Sequence, residues 1–86
     1  MNMNELILDP GNPQIWEVAG QQKLLLSDGL TAARYFTRAL SSTNEHIASD
    51  IFLKLGLSLE MAGDFSMAAD NYIKHFKMCQ STGEFN

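Results

Sequence analysis

Residues 52–76 read FLKLGLSLEMAGDFSMAADNYIKHF, and this stretch decides the fold. Phe52, Leu55 and Leu59 recur at steps of three and four, the spacing of one helical face. Gly63-Asp64 then breaks the pattern, and the Asp64 carboxylate suits the start of a new helix, where orphan N–H groups need acceptors. Ala68, Ala69, Tyr72, Ile73 and Phe76 resume the helical spacing. Gly56 interrupts the first stripe, where glycine costs about 1 kcal/mol against alanine. Such a glycine is expected where another helix crosses too closely for a Cβ. The stretch predicts two helices joined by a tight turn.

Working outward, the same phrase stands earlier as WEVAGQQKLLLSDGLTAARYFTRAL, residues 16–40. A shift of 36 residues lays Trp16 on Phe52, Gly20 on Gly56, Asp28 on Asp64, the pair Ala32-Ala33 on Ala68-Ala69, Phe36 on Tyr72 and Leu40 on Phe76. Asn12-Pro13 is a helix start, because the asparagine can cap and proline fits the first helical position. Ser27-Asp28-Gly29 and the polar run Ser41–Asn44 are breaks. Helices are therefore predicted over 13–26, 30–40, 45–61 and 65–79, which is an all-α chain. Residues 1–12 form an N-terminal extension with a turn at Asp9-Pro10-Gly11, and Leu6, Ile7 and Leu8 are expected to fold back as a partial cap. Residues 81–86 read as a frayed tail.

The totals narrow the function classes. Eighty-six residues make one small domain of modest stability. The hydrophobic fraction of 45% supplies a core. Net charge is −4 and the six basic residues are scattered, which argues against a nucleic-acid backbone as partner. Cys79 is the sole cysteine, so no internal disulfide can form, and a reducing cytoplasmic setting is expected. No apolar run approaches the ~18 residues of a membrane span, and the first residues lack the basic start of a signal peptide.

The paired pattern resembles the tetratricopeptide repeat, whose unit is about 34 residues. The first copy reads Trp16-x2-Ala19-Gly20, then Ala32-x3-Phe36-x2-Ala39. The second reads Phe52-x2-Leu55-Gly56-x2-Leu59, then Gly63-Asp64-Phe65-x2-Ala68-x3-Tyr72, and matches better. The spacing here is about two residues longer than the family's period. The proline usual after the second helix is missing, and Lys23 and His75 stand where other residues are common. The resemblance implies a right-handed helical-repeat solenoid of two helix-turn-helix units, residues 13–44 and 45–80.

In that family the first helix of each unit lines a concave groove. Carried over by position, the groove would show Gln14, Glu17, Gln21 and Leu24 from the first unit, and Asp50, Leu53, Leu57 and Glu60 from the second. The subclass that grips acidic peptide tails needs Lys and Asn where Glu17 and Gln21 stand, so an acidic-tail ligand is not expected. The groove reads as apolar in the middle and acidic at the edge. It suits an apolar or amphipathic segment with some basic character. Leu53 and Leu57 could equally pack within the solenoid or against a second copy of the chain. Two repeats are fewer than the three usually needed for stability. Ile73 and Phe76 on the last helix are therefore expected to mark self-association, as a homodimer, or contact with a partner or a longer array.

Chemistry finds little support. His46 and His75 have no ligand-spaced neighbours, so no metal and no cofactor is predicted. Cys79 has no clear activating base, with Lys74, His75 and Lys77 expected on varied faces. No catalytic residue is assigned. Met61 and Met67 read as core filler. The expectation is a protein–protein interaction module, an adaptor or chaperone-like protein. The alternative is a self-assembling fragment of a longer repeat array.

Overall fold

A computed structural model describes residues 12–41 and 45–82. The N-terminal turn and the Leu6-Ile7-Leu8 patch, residues 42–44, and residues 83–86 lie outside the described residues. The described residues form four helices: α1 (Pro13–Leu25), α2 (Gly29–Leu40), α3 (Glu45–Met61) and α4 (Phe65–Thr82). They are all-α, as predicted. The last helix runs three residues past its predicted end, so residues 81 and 82 belong to it and not to a tail.

The helix starts follow from capping. Asn12 Oδ1 accepts from the Gln14 N–H at 3.0 Å, and Pro13 opens α1. Asp28 caps α2 by accepting from Thr31 N–H, and Asp64 caps α4 by accepting from Met67 N–H, each at 3.2 Å. The two turns are built alike. In the first, Leu26, Ser27 and Asp28 N–H donate to the carbonyls of Gln22, Leu24 and Lys23. In the second, Ala62, Gly63 and Asp64 repeat those bonds to Ser58, Glu60 and Leu59. The chain turns back through a positive φ at Ser27 (61°) and at Gly63 (89°), 36 residues apart. Glycine takes that conformation without steric cost, whereas serine does not.

Successive helices pack on one another in chain order, and α1 also touches α3 lightly. The core lies between α2 and α3: Ala32, Ala33, Phe36 and Ala39 against Ile51 and Leu55, with Trp16, Leu24, Leu40 and Leu59 around them. Alanine at three of the four α2 positions lets the neighbouring helices approach closely.

The mid-helix glycines have a specific cause. A Cβ on Gly20 would lie 2.8 Å from the Phe36 ring, and one on Gly56 would lie 2.6 Å from the Tyr72 ring. In both pairs the obstacle is the aromatic ring 16 residues later. Gly29, expected to be only a break, is a third close approach. It is buried at the start of α2, where a Cβ would run into the Ser58 carbonyl oxygen of α3. One expectation is corrected. Met61 and Met67 are about half exposed and are not core filler. On α4, Phe65, Ile73 and Phe76 are exposed, while Ala68, Asn71 and Cys79 are buried. Among the described residues α4 packs on α3 alone, which leaves its other faces uncovered by helix.

Candidate functional site

Of the predicted groove positions, Glu17 and Asp50 meet where α1 touches α3. The residue that joins them is one the sequence reading passed over. Lys54 Nζ sits 2.6 Å from Glu17 Oε1 on α1 and 2.8 Å from Asp50 Oδ2 on its own helix. Burial pushes the Lys54 ammonium down, but the hydrogen bonds and charges of Asp50 and Glu17 outweigh this and leave it above its ordinary value. Gln21 Nε2 also donates to Glu17, at 3.4 Å. The acidic edge expected at Glu17 and Asp50 is thus two carboxylates facing one cation, and their charge is partly spent inside the protein. Lysine at i+4 from Asp50 could have flagged the local pair. The contact to Glu17 depends on how the two helices align.

Leu24, Leu57 and Glu60 come together farther along the same surface. With Met61 and Phe65 they line an open depression of about 450 Å³ between the two turns. Met61 and Phe65 were not among the predicted groove residues. Glu60 is held by the Tyr72 hydroxyl, which donates to Glu60 Oε1 at 2.7 Å. Burial first, and then the Glu60 carboxylate, push the Tyr72 hydroxyl up to about 12. Gln14 lies at the opposite end of α1, in a separate depression with Asn12, Pro13 and Glu17. Leu53 is half-buried. The groove residues therefore divide into a depression at the turns, an ion-paired middle, and a polar end at Asn12.

The two halves also repeat a cation–ring contact. Arg38 lies 5.3 Å from the Trp16 ring centroid, and Lys74 lies 5.6 Å from that of Phe52. Both cations ride on aromatic faces, each 22 residues after its ring. Ile73 and Phe76, the predicted self-association pair, are each 51% exposed on α4.

The cysteine reading needs correction. His75 and Cys79 are one helical turn apart and share a face. His75 Nδ1 donates to the Ser49 carbonyl at 2.7 Å, which leaves Nε2, 3.7 Å from Cys79 Sγ, as the acceptor. Ser49 Oγ lies 3.2 Å from the same sulfur. Ser49 and Cys79 are both buried, so the cluster ties α3 to α4 without presenting the thiol to solvent. His46 belongs to α3, and its side chain lies outside the description. Among the described residues no His, Cys, Asp and Glu side chains gather in threes to hold a metal ion, and no helix is long and apolar enough to cross a membrane.

No protein family, curated protein or solved structure matches this chain.

Proposed function

We propose that this chain is a protein–protein interaction module built from two tetratricopeptide-type units, which holds a peptide or helix of another protein along the α1–α3 surface. One observation carries the reading: Leu24 and Glu60, 36 residues apart, line a single open depression with Leu57. Apolar side chains left at the surface around a concavity are a common mark of a polypeptide-binding site. The recurrence of capping, turn and glycine contacts 36 residues apart supports the repeat architecture. The buried thiol of Cys79 fits a reducing, cytoplasmic setting. An adaptor or chaperone-like role follows, with no reaction catalysed.

The test is capture by photocrosslinking in the protein's own cells. A photoreactive residue replacing Leu53 should trap one specific partner protein, and the same residue replacing Arg34 on α2 should not. Trapping at neither position, or equally at both, would sink the proposal. The exposed Ile73 and Phe76 favour a second reading, self-assembly through α4. Sedimentation separates the two, because a concentration-independent monomer excludes self-assembly.

A further inference from the structure

We infer that the depression between the two turns is a docking site for an amphipathic polypeptide segment that carries basic side chains beside its apolar ones. This rests on the reading that the α1–α3 surface holds a polypeptide, and it specifies where and what kind. The apolar part is laid out by Leu24, Leu57, Met61 and Phe65, with Leu25 and Leu26 exposed by 86% and 72% at the adjoining turn. Phe65 is 68% exposed although it opens a helix. Leucine and phenylalanine in contact with solvent beside a concavity form an apolar patch that a partner would cover.

Charge selects the occupant. Glu17 and Asp50 are already engaged by Lys54. At the depression, Glu60 accepts only from the neutral Tyr72 hydroxyl, and Asp64, next to Phe65, accepts from the Met67 N–H. Among the described residues neither carboxylate has a cationic partner, so both remain to attract a Lys or Arg brought by the ligand. Asp28 at the other turn accepts from Thr31 N–H and also feels the charges of Lys23 and Arg34.

A second copy of this chain fits poorly, for two reasons. In the contact between α2 and α3, Gly29 passes so close to the Ser58 carbonyl that no Cβ fits. The residue at the matching position of α4 is Phe65, so another helix cannot stack on α4 as α3 stacks on α2. A two-fold pair that buried this depression in both copies would instead place Glu60 and Asp64 of both in one interface, like charge with like charge. A basic amphipathic segment meets neither obstacle.

The experiment uses the full chain and two dye-labelled synthetic peptides, each about four helical turns long. Both carry leucines at i, i+3, i+4 and i+7; one has lysines flanking the stripe and the other has glutamates. Fluorescence anisotropy should show the lysine peptide binding at least about tenfold tighter than the glutamate peptide. Phe65→Ser should weaken the lysine peptide by at least about tenfold, the loss expected for an apolar anchor. The double change Glu60→Gln and Asp64→Asn, which leaves the apolar lining intact, should bring the two peptides close to equal affinity. Four results would overturn the inference: no binding of the lysine peptide at about 1 mM, a weak-ligand concentration; equal binding of both peptides to the unaltered chain; binding lost in Leu53→Ser but kept in Phe65→Ser; and a concentration-dependent dimer that Phe65→Ser dissolves. The third leaves the groove reading intact, since it moves the ligand to the middle of the groove.

Discussion

Three glycines are the sharpest test of the packing, because the obstacle to a Cβ differs at each. At Gly29 it is backbone, the Ser58 carbonyl, which cannot move without shifting α3. At Gly20 it is the ring of Phe36, fully buried and hemmed in. At Gly56 it is the ring of Tyr72, which is partly exposed and can swing away. Alanine recovers about 1 kcal/mol of helix propensity at such sites, while overpacking costs about 1–3 kcal/mol. Urea denaturation should therefore rank Gly29→Ala as the most destabilising, Gly20→Ala next, and Gly56→Ala near neutral. Gly20 and Gly56 were legible from their position inside apolar stripes. Gly29 was not, since a glycine after Ser-Asp reads as a turn residue until α3 is seen against it. Cys79 gives a second prediction at this scale. Its thiol, 3% exposed and packed between Ser49 and His75, should react with a thiol reagent at least about tenfold slower in the native chain than in urea. Equal rates would mean the cluster does not form.

The helices were largely legible, because capping and periodicity are local. Asn12-Pro13, Gly63-Asp64 and the three-four spacing placed the helix starts within a residue. What joins the helices was less legible. Lys54 to Glu17, Arg38 over Trp16 and Lys74 over Phe52 all depend on the register between helices, which no single helix encodes. Lys54 is the link between α1 and α3. Lys54→Met should cost about 1–2 kcal/mol, between the values for exposed and buried pairs, because Glu17 is left partly buried without its cation. The link between α3 and α4 through Tyr72 has a pH signature. A tyrosine in an unfolded chain ionises near 10, whereas Tyr72 in the folded chain is pushed up to about 12. Its stabilisation is therefore fully present below pH 10 and is lost as pH rises toward 12. Lys54, also raised, adds a loss of the same sign above its ordinary value of 10.5. Thermal melts should fall in midpoint across this window, and Tyr72→Phe should flatten the fall. An unchanged alkaline slope in that variant would contradict the assignment.

At the scale of the molecule, four helices form a slab of 40 × 28 × 17 Å with its core in one seam, between α2 and α3. A slab that thin cannot cover all its apolar side chains. Met61 and Met67 read as core from sequence because helical spacing shows that a residue lies on an apolar face but not whether a neighbour covers that face. Leu24, Leu57 and Glu60, expected along one groove, line one depression, and the spacing gave no sign of Lys54, Met61 or Phe65 beside them. The ion pairing of Glu17 and Asp50 moves the centre of the proposed site toward the turns. The central claim is that this surface, and not the outer faces of α2 and α4, receives a polypeptide. Amide and methyl NMR of the labelled chain, titrated with the segment of the partner trapped at position 53, tests it most directly. The account predicts that the largest shifts fall on Gln21, Leu24, Leu57, Met61 and Phe65. Shifts concentrated on Arg34, Thr37 and Lys77, with the Leu57 and Met61 methyls unmoved, would contradict it.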